Sequence, residues 1–521
     1  MKTLFAATAL ALLLARAQPA SAAPGLPSTN VAWLAAAADA DVDGAFAHAR
    51  SEKKPVLLYW GATWCPPCNQ LKATLFNRQE FAALSRGFVA VHVDGDRPGA
   101  QRLGQRFKVS GYPTLVLFNA QGQELTRLPG EVDAAQALAV LQLGMAGGRP
   151  VAAVLKDALA GKALAAAEWR LLAFYSWDTD EQQLQPKAEL AATLRRLATA
   201  APAADAETAH RLWLKALAAN DGSPAALPEA AQRERLLRLL AAPAQVRAQM
   251  DVLANNAVEI VQTLDGEGAA PDWPLVKAYA AALERLEADA GLSRGDRLMA
   301  LYARVDLARL AQPKDTVRPR LPAALVKDVR EHTARLDRET TDAYERQAVI
   351  TAAGSLLGRA GLWTESEALL EANLARSHSP YYLMSQLGGN ARKLGRNEDA
   401  LRWYQKAFDS SEGPATRLQW GAGYLLALVD LAPQDGARIE KTAAQLLVEA
   451  ARDSGAFDGR SARSLARIGS KLATWNEDGR HKDSLRRLQA QLDGICSRIA
   501  AGDARRASCS ALLRPADKKS A

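Results

Sequence analysis

Two cysteines separated by two prolines are the residues of this sequence whose types and spacing best suit chemistry. Cys65 and Cys68 lie in the segment YWGATWCPPCNQLK, residues 59–72. Such a pair can be a redox-active dithiol, half of a metal site or a structural disulfide. A structural zinc site usually needs two such pairs, and a bridge over so short a loop gains little from chain entropy. The pair is therefore interpreted as a redox centre, and no metal site is predicted.

The other two cysteines, Cys496 and Cys509, lie thirteen positions apart near the end of the 521-residue chain. In an oxidising compartment they can join the last helix to the tail as a structural disulfide. Such a bridge is worth roughly 3 kcal/mol in the chain-entropy account. A functional alternative, an internal relay that exchanges disulfides with Cys65, is left open.

The pattern of strands and helices around Cys65 and Cys68 predicts an α/β sheet. A second motif, Gly111-Tyr112-Pro113-Thr114, stands directly before one of the predicted strands. Apolar runs alternate with amphipathic segments, and a turn with a hairpin follows, so helices should cover the sheet. The predicted strands are 55–60, 88–93, 114–118 and 124–128, and the predicted helices are 46–52, one after Cys65, 98–107 and 132–143.

The two motifs together resemble the thioredoxin superfamily, and the periplasmic DsbD C-terminal domain in particular. The resemblance rests on Trp64-Cys65-Pro66-Pro67-Cys68 after a strand and on Gly111-Tyr112-Pro113-Thr114 before one, and it covers about residues 38–144. It implies a thioredoxin fold, with a mixed central sheet and flanking helices. It also implies that Pro113 is cis and lies beside the cysteine pair.

The resemblance assigns roles to five residues. Cys65 would attack a substrate disulfide, and Cys68 would resolve the mixed disulfide. Cys65 is expected at a helix N-terminus, where unpaired N–H groups and the helix dipole favour the thiolate and lower its pKa. Pro113 would leave the backbone of Tyr112 free to pair with an extended substrate, and Trp64 would shield the sulfur atoms.

Two positions depart from the family pattern. Many relatives have a buried acid six residues before the first cysteine, and this position is Tyr59 here. The DsbD domain has another acid four residues after the second cysteine, and this position is Lys72 here. The proton acceptor for Cys68 is therefore unidentified, with water or Asp94 through water as candidates. Lys72 is interpreted as a solvated helix residue, or as a group that lowers a thiol pKa.

The rest of the chain is predicted to be helical. Residues 148–206 form a helical connecting region, and residues 207–515 form a large all-α region. Small, bulky and proline positions recur with a spacing of 34 residues near 347–450, which resembles tetratricopeptide repeats. A generic stack of helical hairpins is the alternative. This region is expected to bind a client or partner, or else only to shield or position the redox domain.

The N-terminus is interpreted as a cleaved signal peptide. Residues 1–22 carry a lysine, a short apolar run and an A-x-A-type site, and residues 23–37 are interpreted as a linker to a domain at 38–147. The mature chain should then be periplasmic without a transmembrane segment, ending in a disordered tail at 516–521. Although the net charge is +8, basic and acidic residues are interspersed, so no nucleic-acid partner is predicted.

The function predicted from the sequence is that of an exported thiol–disulfide oxidoreductase without a cofactor. It would reduce, rather than oxidise, disulfides of protein clients through Cys65 and Cys68. A membrane thiol reductase is the expected electron donor. The alternative is a non-catalytic binding scaffold or chaperone-like module with a thioredoxin-like domain.

Overall fold

A computed structural model describes residues 31–109, 111–130, 133–177, 180, 183–219, 229–266 and 268–514. The predicted signal peptide, the first part of the predicted linker and the predicted disordered tail lie outside the described residues. Their interpretation therefore stays a prediction.

The N-terminal part is built on a mixed sheet of five strands in the order β1-β3-β2-β4-β5. The strands β1, β3 and β2 are parallel, and β4 and β5 are antiparallel additions beside β2. The strands are β1 Leu34–Ala36, β2 Val56–Gly61, β3 Val89–Asp94, β4 Thr114–Phe118 and β5 Glu124–Pro129. The prediction of a mixed central sheet with flanking helices is confirmed.

Both faces of the sheet are covered, which explains why its central strands are apolar without a break. All six residues of β2 are buried, as expected for a strand between two helix layers. Alternate side chains of β2 enter opposite cores, with Leu57 and Tyr59 on one side and Leu58 and Trp60 on the other. The helices around the sheet are α1 Asp39–Glu52, α2 Pro66–Thr74, α3 Gln79–Leu84, α4 Ala100–Arg106 and α5 Ala134–Met145.

The first strand was not predicted. β1 lies inside the segment interpreted as a linker, and the preceding Trp33 packs against Tyr59 and Phe76 at ring distances of 5.7 and 5.2 Å. The sheet domain therefore begins before residue 38. A three-residue strand has too little alternation to be recognised from its sequence.

Helices form all the regular structure described after residue 148, as predicted. They are α6 Val151–Leu159, α7 Ala166–Phe174, α8 Lys187–Ala200, α9 Ala206–Ala218, α10 Glu229–Ala241, α11 Pro243–Ala248, α12 Met250–Asn255, α13 Ala257–Asp265, α14 Pro274–Ala288, α15 Arg294–Ala308, α16 Ala323–Glu339, α17 Ala343–Arg359, α18 Trp363–Asn373, α19 Pro380–Lys393, α20 Asn397–Ser410, α21 Pro414–Leu431, α22 Gly436–Ala451, α23 Gly459–Trp475, α24 Lys482–Cys496 and α25 Ala504–Ala511. Among the described helices, none has both the length and the hydropathy required to span a bilayer.

The connecting region packs on the sheet domain. Val154 and Leu172 belong to the same buried cluster as Leu117 of β4. The N–H of Ser176 donates a hydrogen bond to the carbonyl of Arg127 in β5 at 2.8 Å. Helices α6 and α7 therefore extend the core of the sheet domain towards the helical region.

Two helix pairs in the proposed repeats pack closely at matching glycines. A Cβ on Gly354 would lie 2.6 Å from Leu370, and a Cβ on Gly388 would lie 3.0 Å from Tyr404. The glycines of α17 and α19 thus admit a bulky side chain from the following helix. The interpretation as tetratricopeptide repeats stays a prediction.

Candidate active site

The loop that carries the two cysteines leads from β2 into α2. Cys65 is the N-cap of α2, and its Sγ accepts a hydrogen bond from the N–H of Cys68 at 3.2 Å. Pro66 and Pro67 occupy the first turn, where no intrahelical N–H is required. The sulfur of Cys65 therefore lies at the positive end of the helix dipole, which stabilises negative charge.

All four cysteines are paired in the structure. Cys65 is bonded to Cys68, with a Cα–Cα distance of 5.2 Å. Cys496 of α24 is bonded to Cys509 of α25, with a Cα–Cα distance of 5.7 Å, and both are buried. The second bond joins the last two described helices, and its structural role stays a prediction.

The Pro113 motif leads into β4, the strand that pairs with β2 next to the cysteine loop. Thr114 of β4 pairs with Trp60 of β2, so Pro113 precedes β4 at the same edge of the sheet where β2 ends. The Tyr112–Pro113 peptide bond is cis. The ring of Tyr112 lies 6.0 Å from that of Trp64, edge to face. The fold thus brings both sequence motifs together.

Trp64 is held by polar groups from two parts of the chain. Its Nε1–H lies 2.7 Å from Oδ2 of Asp96 and 2.7 Å from Oγ1 of Thr416, in α21. Burial, followed by the charge of Asp94, raises the pKa of Asp96 to about 7. Sequence reasoning missed Asp96, although the acidic residues Asp94 and Asp96 at the end of β3 were a visible signal, and nothing local marks Thr416.

Lys72 is buried, so its interpretation as a solvated residue was wrong. The residue is 1% exposed, and its Nζ lies 5.0 Å from the ring centroid of Tyr344, in α17. Burial lowers the pKa of Lys72 to about 8. Burial also raises the pKa of Asp94, although nearby Lys72 opposes that shift. A lysine of α2 and a carboxyl group at the end of β3 thus both have altered pKa values, and Tyr59, in β2, is fully buried.

Residues of the helical region cover the cysteine pair. Cys65 is 2% exposed and Cys68 is fully buried. They share a cluster with Tyr381 and with Tyr382 and Trp420. We call these three residues of α19 and α21 the aromatic cover. Sequence reasoning did not identify it as part of the site.

The aromatic cover stacks directly on Trp64. Tyr382 stacks on the ring of Trp64 at 5.8 Å, and Trp420 meets it edge-on at 6.0 Å. The guanidinium of Arg460, at the start of α23, lies 4.7 Å from the ring of Trp64 and 4.9 Å from that of Tyr112. The rings of Trp64 and Tyr112 beside the cysteine pair are thus covered by other residues of the chain itself.

The helical region meets the loop after β3 through glycines. Gly413 has φ +83°, and a Cβ there would lie 2.8 Å from the Cβ of Asp96. A Cβ on Gly455 would lie 3.3 Å from the Cα of Gly99. The N–H of Gly99 also donates to Oδ1 of Asp453 at 2.9 Å. This contact requires residues without side chains, so a bulkier residue would force the two regions apart.

Within the described part of the chain, no cluster of three histidine, cysteine or acidic side chains is placed to hold a metal ion. The chemistry that the geometry supports is exchange between the Cys65–Cys68 pair and another disulfide or dithiol.

The part of the chain that carries the cysteine pair is similar to known proteins. The sequence profile of a family described as Thioredoxin-like domain matches residues 42–144. A thioredoxin-like protein of Synechocystis sp. is 37% identical over 90 residues, which are 17% of this chain and 81% of that protein. The match therefore includes most of that relative but only the N-terminal part of this chain.

Longer relatives match over the same part. Thiol:disulfide interchange protein DsbD 2 of Pseudomonas aeruginosa is 32% identical over 116 residues, 22% of this chain and 20% of the relative. The chain thus spans about a fifth of the length of this relative. Among solved structures, a thioredoxin from Thermus thermophilus is 26% identical, with 22% of this chain and 86% of that chain covered and a TM-score of 0.20.

Proposed function

The chain belongs to the thioredoxin-like proteins through its N-terminal domain, and from this premise we propose that it is a thiol–disulfide oxidoreductase that reduces disulfides of protein clients. The observation that carries the proposal is Cys65 at the N-terminus of α2, bonded to Cys68 beside the cis Tyr112–Pro113 bond. Cys65, Cys68 and Pro113 are the proposed catalytic residues, with Trp64 and Tyr112 as substrate contacts.

The reaction starts from the dithiol form. The Cys65 thiolate attacks one sulfur of the client disulfide, a mixed disulfide forms, and the other client sulfur leaves as a thiolate that takes up a proton. Cys68 loses its proton and attacks Sγ of Cys65, which releases the second client thiol. Two electrons and two protons pass to the client, and the Cys65–Cys68 disulfide remains.

The loop supports reduction as the direction of exchange, and the names of the relatives support the exchange chemistry itself. Proline directly before Cys68 resembles reducing members of the superfamily, and the DsbD proteins are named for thiol:disulfide interchange. A reductase in an oxidising compartment needs a supply of electrons, and a membrane thiol reductase that offers a dithiol provides one. The apolar N-terminal segment supports export to the periplasm through a cleaved signal peptide.

We infer that the helical region binds a client or a partner. Its position against the redox motif supports this role. A non-catalytic scaffold or chaperone-like module is the second candidate, favoured by the burial of both cysteines. In that case the aromatic cover would hold the thioredoxin-like domain in a closed, inactive arrangement.

The test uses reduced protein and a short peptide disulfide whose cleavage separates a fluorophore from its quencher. We expect turnover by the parent with dithiothreitol as electron source, none with Cys65→Ser, and a stable mixed disulfide with Cys68→Ser, detected by intact mass. The Cys496→Ser/Cys509→Ser double variant is the control, and loss of turnover there would indicate a relay. The scaffold would be favoured if the parent showed no turnover and if Cys65→Ser and Cys68→Ser both bound the client as tightly as the parent.

A further inference from the structure

The carboxyl group of Asp96 lies where the helical region meets the redox motif. Its Oδ2 accepts the Nε1–H of Trp64 at 2.7 Å, and the same N–H lies 2.7 Å from Oγ1 of Thr416, in α21. A Cβ on Gly413, directly before α21, would lie 2.8 Å from the Cβ of Asp96. One indole N–H is thus shared between the two parts of the chain, and the helical region lies against the carboxyl group that shares it.

This contact suits the neutral acid better than the anion. The other oxygen of Asp96, Oδ1, is buried and has no hydrogen-bond partner among the described residues. A buried carboxylate needs donors at both oxygens, because the loss of its hydration shell is costly. The anion is therefore favoured where Asp96 meets water, which requires the two parts of the chain to separate at this contact.

Charged and titratable groups from several elements surround Asp96. Burial, followed by the charge of Asp94, raises its pKa to about 7, and the Arg460 guanidinium opposes this shift without cancelling it. Burial raises the pKa of Tyr112 and of Tyr381 above the ordinary 10, so both rings stay neutral at neutral pH. Asp96 is the group of this set that accepts from the indole, so a change in its charge acts on the contact itself. The set comprises Asp94 and Arg97 of the same loop, Tyr112, Tyr381 of α19, Glu412 before α21 and Arg460 of α23.

The cysteine pair lies under this contact. We call the aromatic cover, together with Thr416 and Arg460, the gate. The cluster that contains Cys65, Cys68 and the aromatic cover is separate from the cores on the two faces of the sheet and from the core of the last helices. Opening of the gate therefore leaves those cores intact. Because Cys65 is 2% exposed and Cys68 is fully buried, a protein disulfide reaches them only when the gate opens.

We propose that the helical region regulates access to the cysteine pair, with the gate held closed by the neutral form of Asp96 and opened when that group loses its proton. The inference rests on the proposed function and adds a regulation of the same site. With the gate open, Asp96 meets water and ionises near its ordinary pKa of 3.8, whereas with the gate closed its pKa is about 7. The proton therefore stabilises the closed state fully below about pH 4, and this stabilisation is lost as the pH rises to about 7.

The test compares the parent with Asp96→Asn, whose amide keeps an oxygen for the indole N–H and does not ionise. Both proteins carry Cys68→Ser, and Cys65 is alkylated with a bulky maleimide at half-unit steps from pH 5 to pH 8. Mass spectrometry of the Cys65 peptide gives the rate. The ratio of the parent rate to the variant rate cancels the pH dependence of the reagent. We expect this ratio to rise at least fivefold over the range.

The direction of the change separates a gate from a purely electrostatic effect on the sulfur. An ionised Asp96 that acted only through its charge would disfavour the Cys65 thiolate and slow alkylation of the parent as the pH rises. The ratio would then fall, whereas an opening gate makes it rise. A ratio that stays constant or falls would overturn the proposal.

Thr416→Val tests the contact from the side of the helical region. It keeps the shape of the side chain and removes the oxygen that accepts from Trp64, so the closed state loses a hydrogen bond at every pH. We expect alkylation of Cys65 to be three- to tenfold faster, whereas Thr199→Val at an exposed position of α8 should leave it within twofold. Urea denaturation of each variant controls for the fold. Equal rates for Thr416→Val and the parent would contradict the gate.

Alkylation needs no turnover, so the gate and the proposed function fail independently. A ratio that rises in a protein that reduces no peptide disulfide would leave the gate standing and refute the oxidoreductase. Turnover of the peptide disulfide together with a constant ratio would support the oxidoreductase and refute the gate.

Discussion

Arg460 lies over the indole ring of Trp64, with its guanidinium carbon 4.7 Å from the ring centroid, although 396 positions separate the two residues. Trp64 immediately precedes the first cysteine of the redox pair. The same guanidinium lies 4.9 Å from the ring of Tyr112, the residue before the cis proline. One cation from α23 thus bridges the two motifs of the site, and burial lowers its pKa.

Removal of the Arg460 side chain should expose the redox pair. We expect Arg460→Ala to speed alkylation of reduced Cys65 by a bulky maleimide three- to tenfold, because cation–π contacts worth about 0.5–2 kcal/mol hold the Arg460 side chain over the rings of Trp64 and Tyr112. The measurement is the rate of mass increase in reduced protein. Arg486→Ala, a change at an exposed arginine of α24, is the control. Equal rates for Arg460→Ala and the parent would argue against Arg460 as a barrier to the cysteine pair.

The glycine contact at Asp96 can be tested with a matched pair of substitutions. Gly413 and Gly395 both have positive φ, +83° and +74°, but only at Gly413 would an added Cβ have other atoms within 4 Å. Gly413→Ala should therefore reduce the free energy of unfolding by more than Gly395→Ala, by about 1–3 kcal/mol in line with overpacking. Urea denaturation measures both variants. A difference near zero would mean that the two regions separate easily at this contact.

The stability of the protein should fall as pH rises through the titration of Asp96. Its pKa in the folded state is about 7, above the ordinary value of 3.8, because burial disfavours the charged form. The unfolded chain therefore loses its proton first, and the free energy of unfolding decreases between about pH 4 and pH 7, by on the order of 1–4 kcal/mol.

The Asp96→Asn variant should flatten this part of the pH profile, whereas Asp272→Asn at an exposed position should not. Urea denaturation at half-unit steps of pH is the measurement. If Asp96→Asn and the parent had parallel profiles, another group would be responsible for the pH dependence.

Lys72 should lower stability at neutral pH. Its pKa in the folded state is about 8, below the ordinary 10.5, because burial penalises the ammonium form. The cost is fully present below pH 8 and disappears as pH rises to about 10.5. Lys72→Met, which keeps the volume and removes the charge, should raise the free energy of unfolding at pH 7 by on the order of 1–3 kcal/mol.

The matched control is Lys327→Met, at an exposed lysine of α16. Both variants are compared with the parent by urea denaturation at pH 7 and pH 10, and the gain from Lys72→Met should shrink at the higher pH. A gain of the same size at both values would indicate improved packing instead of removal of a buried charge.

The sequence by itself determined the local chemistry of this protein. Two motifs were recognisable from the sequence: the Cys65–Cys68 pair with its prolines, and Pro113 before a strand. A helix N-terminus and the start of a strand are set by residues that are close in sequence, so both motifs leave a local signal. The strands β2 to β5 were predicted for the same reason, since their apolar runs and turns are local signals. The long helical region was visible from its periodicity.

Only the tertiary structure decided what surrounds the cysteines. Thr416, Trp420 and Arg460 lie more than 340 positions beyond Trp64, and a contact across such a distance leaves no periodic trace in either segment. For the same reason Lys72, one turn after Cys68, was interpreted as a solvated residue and proved buried against Tyr344. A helix face is polar or apolar in the sequence, but whether it meets water depends on which distant helix packs there, and that is a property of the whole fold.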